Sequence, residues 1–196
     1  SSIPKRGPEV AGDLIFQDTN GDGIVDNNDR VILGSPIPDL VFGFNFGFDY
    51  KGFDLSADFN GTYGNEIYNA KKQTRFNTYN FETSFLDRWT GEGTSNTEPR
   101  ITNGNHNYEV SDRFIEDGSF LRLRNIQIGY SFPEVALNKI KVQNFRMYVS
   151  GTNVFTWTKY SGYTPEIGGG SVIGTGYDSG LYPLARTFNV GISASF

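Results

Sequence analysis

The residues best arranged for chemistry lie between Asp18 and Asp29. In the run Asp18-Thr19-Asn20-Gly21-Asp22-Gly23-Ile24-Val25-Asp26-Asn27-Asn28-Asp29, side-chain oxygens fall at positions 1, 3, 5, 9 and 12 of a twelve-residue loop, with glycine at position 6. This spacing matches the EF-hand calcium loop, where the glycine permits a sharp turn and position 7, here Ile24, offers a backbone carbonyl. Hard carboxylate and amide oxygens with no His or Cys beside them select Ca²⁺ over Zn²⁺ or Cu²⁺. The expected ligands are therefore Asp18, Asn20, Asp22, Ile24, Asp26 and Asp29. Position 12 is Asp rather than Glu, which shortens the bidentate reach. No second loop and no amphipathic helix pair accompany it, so the loop reads as a clamp on one connection rather than a sensor. Four carboxylates this close repel one another without a cation, and the metal-free loop is expected to be disordered.

Other chemistry-bearing residues are sparse. His106 is the single histidine, set in the polar run Asn103-Gly104-Asn105-His106-Asn107 without a Ser or Cys partner, and reads as a solvated loop side chain. Gly168 to Gly176 lacks the Lys-Ser/Thr ending of a phosphate loop and reads as a flexible connection. Glu92 with Glu98, and Glu116 with Asp117, have the residue types of a glycosidase acid and base, yet their positions favour solvated loop charges. Lys71, Lys72 and Arg75 form a small basic cluster expected on a loop surface. Asn60-Gly61-Thr62 fits a glycosylation sequon but lies within an expected strand.

The elements that must position these residues are strands. Phe42, Phe44, Phe46, Phe48 and Tyr50 share one face, with Gly43, Asn45, Gly47 and Asp49 on the other. After Lys51-Gly52 the alternation restarts with Phe53, Leu55, Ala57 and Phe59, which predicts an antiparallel hairpin over 40–64. A third run, Phe120 to Phe132, aligns Ile126, Ile128, Tyr130 and Phe132 but leaves Leu121 and Leu123 in the opposite register. A bulge near Asn125, or a strand buried on both faces, would account for that. Asn144 to Trp157 and Leu184 to Phe196 supply the last two strands, the final one closing on an aromatic.

The connections alternate in length. The Lys51 turn is tight and the link from Pro133 to Gln143 is moderate, whereas Thr62 to Ser119 and Thr158 to Pro183 are long and rich in Gly, Asn, Tyr and Thr. Strands longer than the usual five or six residues, with short turns at one end and long loops at the other, match an outer-membrane β-barrel. A soluble β-sandwich shares the alternation but explains neither the unbroken Phe row nor the loop asymmetry. Five strands cannot close a barrel, and open edges in lipid are untenable, so the rest of the barrel is expected from elsewhere.

Composition narrows the partners. The 196 residues carry 17 Lys+Arg against 22 Asp+Glu, a net charge of -5, and no Cys. Acidity argues against nucleic acid, and the absence of Cys excludes disulfides, thiolate metal sites and a Cys nucleophile. With a mean hydropathy of -0.42 and no apolar run of roughly 20 residues, a spanning helix is not expected. The opening Ser1-Ser2-Ile3-Pro4-Lys5-Arg6-Gly7-Pro8, without initiator Met or signal core, reads as a processed product or a piece of something longer.

Several stretches resemble the carboxy-terminal part of SusC/RagA-type TonB-dependent outer-membrane transporters. They are Gly12-Asp13-Leu14-Ile15-Phe16-Gln17 leading into the Asp18–Asp29 loop, Gly34-Ser35-Pro36-Ile37-Pro38-Asp39, Tyr50-Lys51-Gly52-Phe53-Asp54-Leu55, Asp87-Arg88-Trp89-Thr90, Asp117-Gly118-Ser119-Phe120-Leu121-Arg122-Leu123-Arg124-Asn125 and Tyr160-Ser161-Gly162-Tyr163-Thr164-Pro165-Glu166. Arg186-Thr187-Phe188 and the terminal Phe196 fit as well. The resemblance implies an all-β, antiparallel transmembrane barrel of 22 strands with an amino-terminal plug, this chain supplying roughly the last five strands. Within 1–196 it implies an extracellular calcium-binding loop at 12–39, the hairpin at 40–64, a long extracellular loop at 65–118, and the last three strands with a final extracellular loop at 119–196. It also implies a non-enzymatic, TonB-dependent importer of oligosaccharides or peptides, contacting outer-membrane lipid in a Gram-negative, Bacteroidetes-like cell. A SusD-like surface lipoprotein lids such a barrel, and TonB acts through an amino-terminal portion outside this sequence. Loop aromatics Tyr63, Tyr68, Phe76, Tyr79, Phe81 and Trp89 are expected to contact the lid or a sugar. The rival readings are a soluble, calcium-stabilised carbohydrate-binding or adhesin β-domain and, on its loop carboxylates alone, a secreted glycosidase.

Overall fold

The computed structural model describes residues 6–74, 82–103, 106–137, 142–167 and 174–195. The chain divides into two compact units: a loop unit of Ser1–Gly34 with Tyr68–Ile115, and a sheet unit of Ser35–Ile67 with Glu116–Phe196. Among the described residues, the strands in chain order are β1 (Leu40–Tyr50), β2 (Phe53–Tyr63), β3 (Glu66–Tyr68), β4 (Ile115–Asp117), β5 (Phe120–Ser131), β6 (Asn144–Thr158) and β7 (Thr187–Ser195). Two short helices, α1 (Ala70–Thr74) and α2 (Glu134–Leu137), and four 3₁₀ turns complete the elements.

In the sheet unit, β1, β2, β5, β6 and β7 form one antiparallel sheet in that order, while β3 pairs with β4. The β1–β2 hairpin turns through Lys51 (φ 47°) and Gly52 (φ 88°). Two consecutive positive φ angles make the primed turn whose twist suits a hairpin. Glycine is required at the second position on steric grounds too, since a Cβ there would stand 2.6 Å from the Ser131 carbonyl oxygen.

The out-of-phase leucines are explained by a bulge. Asp58 faces Asn125 but Phe59 faces Leu123, leaving Arg124 as the extra residue of β5. On β6 the partners step from Thr152 to Phe155, and Asn153 takes up the irregularity with a φ of 53°. Leu121 and Leu123 thereby join Ile126, Ile128 and Tyr130 on one face. That face is apolar in every lateral row: Tyr50, Phe53, Tyr130, Met147 and Ile192 make one, and Phe48, Leu55, Ile128, Val149 and Val190 make the next. Phe44 stacks on Phe59 with ring centroids 4.6 Å apart, directly across the β1–β2 pair.

This apolar face is bare. Phe46 (52%), Phe48 (53%), Val149 (51%) and Val190 (76%) keep half or more of their surface exposed, with Leu55, Leu123, Ile126 and Tyr130 between them half-buried by their neighbours on the face. A soluble sandwich buries that face against a second sheet, and none covers it among the described residues. Three expected boundaries shift slightly: β5 stops at Ser131 rather than Phe132, β6 runs one residue further to Thr158, and β7 begins at Thr187 rather than Leu184. Phe196 lies outside the described residues.

The loop unit is organised around buried Phe114, Ala70 and Val25. The stretch expected as one long loop over 65–118 instead folds into β3, α1, three 3₁₀ turns and β4. Asn69 is fully buried, and its backbone N–H donates to the Phe114 carbonyl.

Candidate functional site

The polar face of the sheet is built from period-two partners of the apolar rows. Asp54 on β2 and Arg146 on β6 form a bidentate ion pair, Nε to Oδ1 at 3.0 Å and Nη2 to Oδ2 at 2.5 Å, reaching over the intervening β5. Gly129 makes the reach possible, because a Cβ on it would meet Asp54 at 2.4 Å and Arg146 at 2.5 Å. The Arg146 guanidinium also lies 5.1 Å from the centre of the Tyr148 ring, a cation–π contact. Two rows further, Asn45 Nδ2 donates to Asp58 Oδ1 (2.7 Å), Asn125 Nδ2 to Asp58 Oδ2 (3.2 Å), and Thr152 Oγ1 to Asn125 Oδ1 (3.3 Å). The result is a hydrogen-bonded wall across four strands, in which Arg146 balances Asp54 and neutral amides hold Asp58. It offers polar contact and no activated nucleophile.

At the Tyr63/Phe120 end of the sheet, the long connection after β6 is tied down by buried polar groups. Arg122, 4% exposed, donates to Thr156 Oγ1 at 2.9 Å and pairs with Glu166 while its flank lies over the Phe120 ring. Tyr160 donates its hydroxyl proton to buried Asp178, whose other oxygen accepts the N–H groups of Gly180 and Leu181. Glu116 accepts from both the N–H and the hydroxyl of Ser161, and Asp117 accepts the Ser119 N–H. The Ser119 hydroxyl and N–H hold the Asp117 carboxyl below the ordinary range. Glu116 and Asp117 thus anchor the backbone, Asp117 while remaining exposed to solvent. Gly168 to Ile173 lie outside the described residues.

The loop unit hangs on one carboxylate. Asp13 receives Arg100 at Oδ1 (2.6 Å) and Oδ2 (3.1 Å), Asn107 Nδ2 at 3.0 Å and the Val10 N–H at 3.1 Å. Burial opposes its charge, but these donors, Arg100 foremost, prevail and bring its pKa down to about 2. Asn107, itself buried, turns its Oδ1 to the Leu14 N–H. The clasp therefore joins residues 87 to 94 positions apart in sequence, which no spacing argument reveals.

Several sequence readings change here. Lys71 is not on a loop surface; it is 5% exposed and pairs with Glu82 at 2.8 Å, while Arg75 lies outside the described residues. Part-buried His106 sets its ring edge-on to Phe16, centroids 6.2 Å apart, and its Nε2 is buried without a partner among the described residues. Glu98 is taken up by Arg113, which removes it from any acid–base pairing with Glu92. Of the loop aromatics, Tyr68 donates to Gln73 and packs edge-on against Phe114, and Trp89 covers Gly12 so closely that a Cβ there would stand 2.4 Å from its ring. Both add packing within the unit. Tyr63, at the end of β2, is exposed. Phe76, Tyr79 and Phe81 lie outside the described residues.

In the Asp18–Asp29 loop the carboxylates face the loop's own N–H groups. Asp18 accepts from Gly21 and Gly23, Asp22 from Ile24, and Asp26 from Asn28. Asp29 accepts from Thr19 (2.8 Å), Asn20 and Asp26 (2.7 Å), and the Asp26 N–H foremost holds its carboxyl below the ordinary range. Asp26 and Asp29 cap the turn at Asn27–Asp29 reciprocally. The N–H dipoles offset the repulsion that the sequence reading left uncompensated. Among the described residues no three His, Cys, Asp or Glu side chains converge as a metal cage. The Ile24 carbonyl and the Asn20 amide stand in the same loop as further oxygen donors.

The loop unit also carries an open cleft of about 840 Å³. Its walls come from the segment Arg6 to Leu33 and from the stretch Gln73 to Arg113.

No protein-family model matches the chain. Sequence comparison finds TonB-dependent receptors P26 and P3 of Formosa agariphila, 36% and 34% identical over 97% of the chain, and the TonB-dependent receptor SusC of Bacteroides thetaiotaomicron, 34% identical over 93%. The chain spans 20%, 20% and 17% of their lengths, about a fifth. Among solved structures, the RagAB peptide transporter superposes with a TM-score of 0.67 at 27% identity, covering 83% of this chain and 18% of that one. The RagAB peptide importer in its open-open state gives 0.65 at 27% identity, with the same shares covered. Likeness in sequence and in fold over nearly the whole chain, joined to a sheet with one bare apolar and one polar face, shows that the chain belongs to the SusC/RagA-type TonB-dependent receptors and forms part of their barrel.

Proposed function

We propose that the protein carrying this chain is an outer-membrane importer that takes up oligosaccharides or peptides without chemical change. The bare apolar face of the five-stranded sheet carries this reading. No described helix is long and apolar enough to cross a membrane, whereas strands of 9 to 15 residues suffice to cross when tilted. The apolar rows face outer-membrane lipid and the polar rows face the lumen. The Lys51 turn lies at the periplasmic end, and the loop unit and the connection after β6 lie outside the cell. The remaining barrel strands and a plug complete the protein, TonB drives it through the amino-terminal portion, and a SusD-like lipoprotein covers the outer mouth. The soluble binding-domain alternative leaves the Phe rows in water.

Fractionation of the native source tests this, with mass spectrometry of what co-purifies in mild detergent. Recovery in the outer membrane with a larger barrel polypeptide and a lipoprotein supports the importer. A lone water-soluble species of 21.8 kDa overturns it.

A calcium ion bound by Asp18, Asn20, Asp22, the Ile24 carbonyl, Asp26 and Asp29 is a separate proposal, supported by the donor spacing and the hardness of the oxygens. Its binding requires the carboxylates to turn from the N–H groups they now accept. Titration calorimetry of the receptor with Ca²⁺ after chelation checks it; no heat above the Asp18→Ala/Asp22→Ala control rejects it.

A further inference from the structure

We propose that residues 160–166 form a strap turned into the outer mouth of the barrel, and that Arg122 is the positioning residue whose pairing with Glu166 sets how wide the mouth stands on this side. The inference rests on the import reading and deepens it by naming what limits entry. Strand β6 ends at Thr158. Beyond that end the chain returns to β5, where Thr164 Oγ1 accepts from Arg122 Nη2 at 3.4 Å and Glu166 pairs with the same guanidinium. Arg122 stands in one row with Asn60 on β2 and Thr156 on β6. Asn60 continues the alternating set of Asp54, Ser56 and Asp58, so this row, and the strap that touches it, belongs to the polar face.

Burial on the two faces of this end agrees with an inward turn. On the apolar face Phe155 (45%) and Trp157 (47%) stay open, whereas on the polar face Phe120 (7%) and Arg122 (4%) are covered and Asn60 Oδ1 is buried. These residues share the same few rows of the β5–β6 ladder, so the difference is one of face and not of height along the strands. The base of the strap is fastened separately. Ser161 gives its N–H (2.8 Å) and hydroxyl (2.9 Å) to Glu116, and buried Tyr160 gives its hydroxyl to Asp178. The far end depends on one pair with unequal partners. Arg122 is buried and needs an opposite charge, while the Glu166 side chain is half-exposed and can be hydrated. The guanidinium therefore draws the strap inward, and without the pair the far end is free to stand away from the lumen wall while the base stays fixed.

The experiment uses the intact receptor in native outer membranes, carrying one introduced thiol on the polar face: Asn60→Cys beneath the strap or Ser56→Cys further in. Each is labelled from outside with N-ethylmaleimide and, separately, with a maleimide on a polyethylene glycol chain, and modification of the thiol is followed by mass spectrometry. Arg122→Met and Glu166→Gln are each expected to raise the polyethylene glycol rate at both thiols about tenfold, the factor that one lost charge-assisted hydrogen bond supplies. The N-ethylmaleimide rate at Ser56→Cys is expected to stay unchanged, because the small reagent already passes the strap. Glu166→Gln decides the matter where Arg122→Met fails to fold, since it alters only the half-exposed partner. Polyethylene glycol rates that do not respond to Glu166→Gln overturn the proposal. An equal rise for both reagents also overturns it, because that marks general loosening and not a wider mouth. Either result in a receptor recovered from the outer membrane sinks only the strap, whereas a chain recovered as a lone water-soluble species sinks the import reading and the strap with it.

Discussion

The sheet unit and the loop unit satisfy their backbones in different ways. In the sheet, each strand's N–H and C=O groups pair with the neighbouring strand, so side chains are left to differentiate two faces. In the loop unit, ladders are scarce and polar side chains take their place: Asn107 serves the Leu14 N–H, Asp13 the Val10 N–H, and Asp29 those of Thr19, Asn20 and Asp26. The sheet is therefore redundant, with many weak contributions per row, while the loop unit concentrates its cohesion in a few carboxylates and amides.

A charge on the bare face is the harshest test of the sheet. Phe46→Arg, mid-strand on β1, is expected to cost about 2–4 kcal/mol, while Ser56→Arg on the polar face costs less than about 1. Melting of the detergent-solubilised receptor distinguishes them, and equal losses would contradict the assignment of faces. Asp13→Asn comes next, at about 2–3 kcal/mol, because it strips Arg100 of its bidentate partner. Its signature is faster proteolysis within residues 82–103 with the sheet unaffected. Two glycines then sharpen the picture inside the sheet. Gly61→Ala places a Cβ 2.3 Å from the Phe120 carbonyl oxygen, which backbone movement alone relieves, and should cost about 1–3 kcal/mol. Gly129→Ala meets only the movable ends of Asp54 and Arg146 and should cost under about 1 kcal/mol.

Acid separates the units most gently. Asp13 has a folded pKa of about 2 against an ordinary 3.8. A depressed carboxylate contributes its full stabilisation above 3.8 and loses it as pH falls toward 2. Proteolysis of the loop unit should thus accelerate between pH 4 and pH 2 in wild type, and the added acceleration should be absent in Asp13→Asn.

The strands were legible because alternation, turn chemistry and length agree at each of them. Even the discrepancy at Leu121 and Leu123 located the bulge to within a residue, since a period-two pattern that slips by one has few causes. The loop unit was opaque for a physical reason. Its defining contacts join residues far apart through single polar side chains, and a Lys or His in a polar stretch looks solvated whether or not the fold buries it. Lys71 and His106 were misread on that account. Asp13 stood in a segment that carried the family resemblance, but nothing nearby marked it as the partner of Arg100. The Asp18–Asp29 spacing was visible at once, whereas its web of N–H donors depended on backbone direction.

The Lys51-Gly52 turn carries a consequence for how the sheet comes together. A two-residue primed turn lets β1 and β2 zip from adjacent residues, on the microsecond scale typical of hairpins. The β2–β5 ladder, by contrast, must wait for everything between Tyr63 and Phe120 to loop back. The entropy of that closure rises only logarithmically with the length of the intervening chain. The register of β2 on β5 is fixed by the strands themselves, so the insertion can lengthen or be exchanged at little kinetic cost while the wall behind it keeps its frame.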